Sequence, residues 1–383
     1  MNKRVVMLLL LVGLMGVEGG AQVLHLTVTN EEALERRSEL VAVQWRDIQK
    51  NFPTLDRGQV FLTALPDSAE VITQGTGDEL LFMADFAAGE SRRFLVRESP
   101  GAGRPKRIVD GRLVLPREDY AWENDRIAFR MYGSPLAGDV KNGIDVWTKR
   151  VRSLIVEKWY RESEGSPPGK DTYHVDRGEG ADFFHVGKSL GAGGVAIRRN
   201  GRLHQPGVFK TWRTIANGPL RVSFELSYDS IDVDGTLYSE IRRTTLDAGQ
   251  NLNRIDVTYY GPVDGEELEV ACGLVKRPNI TVTRSQHECW LSLWGETNAD
   301  TTNGFLGTGV VLPESGCKEI VEDTLHCLIL GKARTGRPIT YYAGAGWTRS
   351  GDFGSVEDWN RYLAEFARKL GSPLRVELEV TDK

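Results

Sequence analysis

The chain has 383 residues, of which 40% are hydrophobic and 26% charged, a balance that allows one large β-rich domain and a smaller one. A formal net charge of −5, with a pI near 5.8, excludes a broad nucleic-acid-binding surface. Local arginine pairs stay compatible with an anionic ligand, because net charge does not forbid a patch.

At the N-terminus Lys3 and Arg4 precede the apolar run VVMLLLLVGLMGV, and Gly19, Gly20 and Ala21 follow. The pattern predicts a signal peptide over residues 1–21, since its apolar part is too short to span a bilayer and small residues mark the cut. No cysteine stands near the cut to carry a lipid, and no later segment is apolar enough to cross a membrane. The expectation is an exported protein, periplasmic or secreted, with no membrane association once the signal is removed.

Residues 22–100 read as a small N-terminal β region. LHLTVTN alternates as a strand, and residues 31–45, EEALERRSELVAVQW, have helical propensity but leave helix, strand and loop open. RESPGAGRPKR (97–107) is rich in Gly, Pro and charge and reads as a linker, which makes residues 108–383 the main domain. RIAFRMYG (126–133) puts Ile127, Phe129 and Met131 on one face and Arg126, Ala128 and Arg130 on the other. SEGSPPGK (163–170) is a loop. RVSFELSYD (221–229), NRIDVTYYG (253–261) and LEVACGLV (268–275) repeat the period of two between Gly, Asp and Pro signals. Such segments predict an all-β fold of stacked antiparallel sheets, with no βαβ rhythm.

One helix stands out near the C-terminus. Ser355 and Asp358 resemble a capping box, and Val356, Trp359, Leu363, Phe366 and Leu370 form an apolar stripe. Gly371 supplies a stop, with Pro373 just beyond. The cysteines, Cys272, Cys289, Cys317 and Cys327, permit two disulfides in an exported chain. Hairpin spacing suits Cys272–Cys289 and Cys317–Cys327, and without any CxxC zinc is the weaker reading.

Chemistry concentrates in YHVDRGEGADFFHVGKSLGAGG (173–194). HVGKS imitates the end of a P-loop, but the position five before Gly187 is Asp182, where a carboxylate repels phosphate, so nucleotide binding is excluded. His174, Asp176, Glu179, Asp182 and His185 could ligate a divalent metal, although their spacing matches no closed zinc site, and a metal requirement stays open. Acid–base chemistry is the third reading: a histidine exchanges protons near neutrality, Asp176 or Asp182 can orient it, and Lys188 can stabilise developing negative charge. The plainer alternative is that Tyr173, Phe183, Phe184 and Val186 pack the core while the charged residues are solvated.

Other positions could complete a site. Trp122 beside Glu123, Asn124, Asp125 and Arg126 suits sugar recognition, where a ring stacks and hydroxyls are hydrogen-bonded. Arg242 or Arg243 could clamp a carboxylate, with Tyr259, Tyr260, Lys276 and Arg277 as weaker candidates. Trp147, Trp159, Trp212, Trp294 and Trp347 read as core. There is no G-x-S-x-G elbow, and Ser189 lacks the strand-to-helix context of a nucleophile.

AWENDRIAFRMYG, GIDVWTKR, RTTLDAGQNLNRIDVTYYG, GDELLFMADFAAGE and the 173–194 block together resemble a bacterial family of exported proteins of formerly unknown function. Its members accompany polysaccharide-degradation enzymes, and the resemblance spans nearly all of the mature chain. It implies a galactose-mutarotase-like β-supersandwich with the C-terminal helix packed on it. It also implies a dehydratase that removes water from the non-reducing terminal uronic acid of an acidic oligosaccharide. That elimination needs a base, an acid for the departing 4-hydroxyl, and a cation on the carboxylate. His174, His185 and Tyr260 supply the first two types, and Arg126, Arg242 or Arg277 the third. An exo-acting lyase would use the same inventory. A hydrolase would pair Glu123 with Glu179 or Asp182 across the glycosidic bond, and a non-catalytic glycan-binding module would use the tryptophans alone.

Overall fold

The computed structural model describes residues 22–53, 60–98, 105–164 and 173–382. The expected signal peptide, residues 99–104 of the linker and residues 165–170 of the 163–170 loop lie outside them.

Two sheets make the N-terminal sandwich. One runs in the order Arg375–Asp382, Gln22–Thr29, Ser91–Glu98, Val60–Ala64 and Glu70–Val71; the other is Arg36–Gln44, Glu79–Phe86 and Thr73–Thr76. Leu26, Val28, Val43, Phe82 and Phe94 meet between them. The last strand of the chain pairs with the first, so that Gln22 faces Asp382 and Thr29 faces Arg375. Residues 31–45 resolve into the strand Arg36–Gln44, followed by the short helix α1 (Trp45–Asn51). Val41 and Val43 alternate inward there, and the burial of one strand face outweighs helical propensity.

Three antiparallel sheets form the larger body. The largest has eight strands in the order Thr211–Asn217, Arg221–Val233, Thr236–Asp247, Leu252–Tyr260, Ile339–Trp347, Phe305–Val311, Trp290–Glu296 and Ile280–Ser285. A five-stranded sheet, Arg202–His204, Ala192–Arg199, Glu267–Val275, His326–Arg334 and Cys317–Glu322, shares its core. A third sheet, Gly180–Asp182, Asp145–Lys149, Ile127–Met131, Asp119–Glu123 and Asp110–Val114, joins the same core through Trp122, Phe129 and Phe224. The period-two strands read from the sequence are all present, and Val222, Phe224, Leu226 and Tyr228 point inward as expected.

The C-terminal helix, α3 (Val356–Gly371), packs on the outer face of the eight-stranded sheet. The Ser355 hydroxyl accepts from the Asp358 N–H at 3.2 Å, which satisfies one orphan donor of the first turn. Trp359 and Leu363 are fully buried against the strand Phe305–Val311. Close approach requires Gly307, where an added Cβ would stand 2.6 Å from Trp359 Cδ1. Gly371 is the last helical residue rather than the stop after it.

A further helix, α2 (Val156–Glu164), covers the outer face of the third sheet and packs Trp159 and Tyr160 on Trp147 and Tyr173. It buries a face that alternation alone would leave to solvent, so Ala128 and Arg130 are as enclosed as Ile127 and Phe129. Among the five tryptophans read as core, Trp212 is the exception at 46% exposed, because it lies on the edge strand Thr211–Asn217.

The disulfide pairing also differs. Cys289 bonds Cys317 with Cα atoms 6.2 Å apart, while Cys272 and Cys327 are free and buried. Cys317 faces Gly331, four residues along the strand from Cys327, a gap of about 13 Å that no disulfide spans. Cys272 lies inside the five-stranded sheet, whereas Cys289 precedes a strand of the eight-stranded one. Alkylation of the denatured, unreduced protein should modify Cys272 and Cys327 and leave the peptides of Cys289 and Cys317 linked. Replacing that pair, Cys289→Ser with Cys317→Ser, should lower stability by about 2–4 kcal/mol in denaturant titration.

Candidate active site

The strand Gly180–Asp182 and the residues that follow it are the spine of the site. Gly180 has φ +118°, and a Cβ there would stand 2.0 Å from the Thr148 carbonyl, so only glycine lets this short edge strand join its neighbour. Gly191 (φ +60°) plays the same part against the Ile144 carbonyl at the far end of the segment. The Asp182 N–H donates to the Tyr173 carbonyl at 2.7 Å, which folds the start of the segment back onto its middle.

His174 therefore sits on Asp182. Its Nδ1 lies 3.0 Å from the Asp182 carbonyl oxygen and 3.6 Å from a carboxyl oxygen of the same residue. A carbonyl can only accept, so Nδ1 carries a proton. The side chain is 41% exposed.

Beneath it is a buried charge cluster. Arg130 lies 2.6 Å from Asp145 and 2.9 Å from Asp182, donates to the Tyr132 hydroxyl at 3.1 Å, and stands 4.0 Å from Asp119. Its guanidinium lies over the rings of Tyr132 and Trp147. The Tyr160 hydroxyl donates to Asp119 at 3.1 Å, and Arg117 donates to the Tyr173 hydroxyl at 2.9 Å. Burial pushes the Asp182 carboxyl well above the usual carboxylate range; the neighbouring Asp145 adds to the rise and Arg130 opposes it. Burial raises Asp119 as well, again against Arg130. Three carboxyls thus share one guanidinium, and burial raises both Asp182 and Asp119 against it.

The remaining expected residues divide. His185 is exposed three residues beyond Asp182, its Nε2 3.2 Å from Asn298 Oδ1. Lys188 is exposed on the turn after Gly187, in no helix, so the P-loop look-alike has no phosphate cradle. Asp176 is held by Arg150 and Arg349 at 3.1 and 3.2 Å and by two backbone N–H groups, and Glu179 by Lys158 and Trp159. The proposed metal ligands therefore do not converge, and no set of three such side chains among the described residues is placed to hold an ion.

Three expectations are corrected outright. Trp122 is fully buried and donates to Asn253 Oδ1 at 2.7 Å, so it offers no face to a sugar. Glu123 is sealed in the interior, where it pairs Lys149 at 2.6 Å and accepts from the N–H groups of Ile155 and Val156 at the start of α2. Arg242 is fully buried beside Glu240 at 2.7 Å and lies over Tyr228. Tyr260 is exposed at the end of the strand Leu252–Tyr260, opposite Ser239. Arg126 is committed to Asp125 and Asp352, the latter shared with Arg152. Arg277 remains partly exposed with its guanidinium 5.9 Å from the Phe184 ring, next to His185.

Sequence reasoning missed Arg130, Asp145, Asp119 and Tyr132 as parts of the site. The available signal was a charge at an alternating position inside the strands IAFRM and DVWTK, where a half-buried strand tolerates it but a fully buried one needs a partner.

Residues 28–376 match the model of a family described as a domain of unknown function (DUF4861). Uncharacterized protein P7 of Formosa agariphila is 30% identical, over 92% of this chain and 93% of its own length. Among solved structures, an alpha-mannosidase from Enterococcus faecalis V583 aligns with a TM-score of 0.50 at 9% identity, over 93% of this chain and 46% of that one. A glycosyl hydrolase family 38 protein from Enterococcus faecalis aligns at 0.49 and 10%, over 93% and 47%. The chain thus spans just under half the length of these two proteins, and at such identity the likeness concerns the fold alone.

Glu123→Ala should destabilise the protein by about 3–5 kcal/mol in urea titration, because Lys149 would be left buried without a counter-ion. A second expectation concerns pH. Asp182 and Asp119 have raised folded-state pKa values, so the folded protein retains protons that the unfolded chain releases above the ordinary carboxylate range. Stability should therefore fall as pH rises through that window. Asp182→Asn should flatten the decline when melting temperature is followed from about pH 4 to about pH 8.

Proposed function

The chain belongs to the DUF4861 family, and on that premise we propose that it is an exported enzyme acting on acidic oligosaccharides, eliminating water at the non-reducing terminal uronic acid. The observation that carries this reading is the His174–Asp182 pair: a part-exposed imidazole with Nδ1 fixed on the Asp182 backbone, above a carboxyl that burial pushes above the usual carboxylate range. Histidine is the side-chain type that takes and gives protons near neutrality, and the Asp182 carbonyl fixes which ring edge faces outward.

In this scheme His174 Nε2 takes the proton from C5 of the uronate, the C4–C5 double bond forms, and the C4–O bond breaks. His185, exposed on the same segment, gives a proton to the departing 4-hydroxyl, which leaves as water. The fold likeness to an alpha-mannosidase supports a carbohydrate substrate. The hydrolase alternative loses the carboxylate pairs named for it, since Glu123 is sealed under α2 and Glu179 is held by Lys158. An exo-acting lyase would use the same histidines and differs only in whether C4 carries a sugar.

Incubation with uronate-terminated oligosaccharides should raise ultraviolet absorbance as unsaturated uronate forms, with no change in chain length. Release of a sugar along with the absorbance would indicate the lyase, and release of saturated sugar without it a hydrolase. His174→Ala should lower kcat by about 10²–10⁴-fold while the melting profile is unchanged. Full activity in both His174→Ala and His185→Ala would sink the assignment.

A further inference from the structure

Arg277 differs from the other enclosed arginines of the site region. Arg126, Arg130 and Arg242 each face a carboxylate, whereas among the described residues Arg277 faces none. Its Nη2 donates to the Leu306 carbonyl at 2.7 Å, its Nη1 lies 3.5 Å from the Glu296 carbonyl, and its Nε has no partner. Burial with no opposing charge pulls the guanidinium down to about 10, still cationic at neutral pH. The same wall holds a second unmet group: Thr297, next to Glu296, is fully buried with its hydroxyl unpartnered. Asn298 follows and meets His185.

A largely buried cation without a counter-ion is costly to hold, and a bound anion would offset that cost. The position fits that use, because the guanidinium lies by Phe184, the residue before His185. A planar guanidinium with three N–H donors left over matches a carboxylate better than a doubly charged phosphate, which would require further cations. We propose that Arg277 is the anchor of an oxyanion subsite that takes the carboxylate of an acidic sugar beside His185. The inference rests on the reading of the protein as acting on acidic oligosaccharides, and it supplies the cation that proton removal next to a carboxylate requires.

The test is thermal denaturation of the full chain with sodium glucuronate, glucose or sodium sulfate. Glucuronate should raise Tm by a few degrees at saturation and glucose should not. Arg277→Met should lose the response yet melt at or above the wild type, because an uncompensated cation has been removed. Arg277→Lys should keep a response with roughly 10-fold weaker Kd, since the charge persists without the fork. An Arg277→Met protein that melts far below wild type, paired with an Arg277→Lys protein that binds glucuronate as tightly as wild type, would overturn the proposal in favour of a purely structural arginine. A sulfate shift equal to that of glucuronate would overturn the carboxylate assignment. Because the shift needs no turnover, an Arg277-dependent response without unsaturated product would leave the subsite standing and remove only the dehydratase reading.

Discussion

Arg130 is the constraint on which the candidate site depends. Its guanidinium reaches Asp145 on the next strand and Asp182 one strand further, so a single side chain ties three strands of the third sheet on the face under α2. Isolated ions in such a place would cost several kcal/mol each, and the arrangement stands only because every charge has a partner or is neutralised. The stacking of the guanidinium over Trp147 and Tyr132 gives its planar faces contacts that water would otherwise make.

That cluster also sets the chemistry above it. Burial raises the Asp182 carboxyl and Asp145 adds to the rise, while the shared guanidinium opposes it. Orientation comes from the backbone carbonyl and charge from the buried network, so the two roles are divided between atoms of one residue. Lys149 and Glu123 do similar structural work at the start of α2, and Lys149 is lowered by burial despite its pairing with Glu123.

The class of fold was legible because period-two alternation reports a sheet with one buried face. The capped, striped C-terminal helix was legible for the same kind of reason, since cap and stripe are local. Alternation failed where a second layer covers the outer face: Arg130 and Ala128 looked solvent-facing because nothing nearby in sequence announces α2. The 173–194 segment was recognisable from its density of chemistry, yet Trp122, Glu123 and Arg242 were misjudged, because a residue's type does not tell whether its polar atoms are spent inside. The disulfide depended on register between strands far apart in the chain, which spacing along the chain does not encode.

The pairing of the first described strand with the last has a consequence for how the chain acquires its structure. The sheet containing Gln22–Thr29 gains its edge partner only from Arg375–Asp382, contacts separated by most of the sequence. Closing so long a loop carries a large entropic cost, and such contacts form late. Until Arg375–Asp382 joins the sheet, the strand carrying Leu24, Leu26 and Val28 lacks one of its two neighbours. The N-terminal sandwich is thereby built from two stretches that the whole of the larger β body separates in the chain.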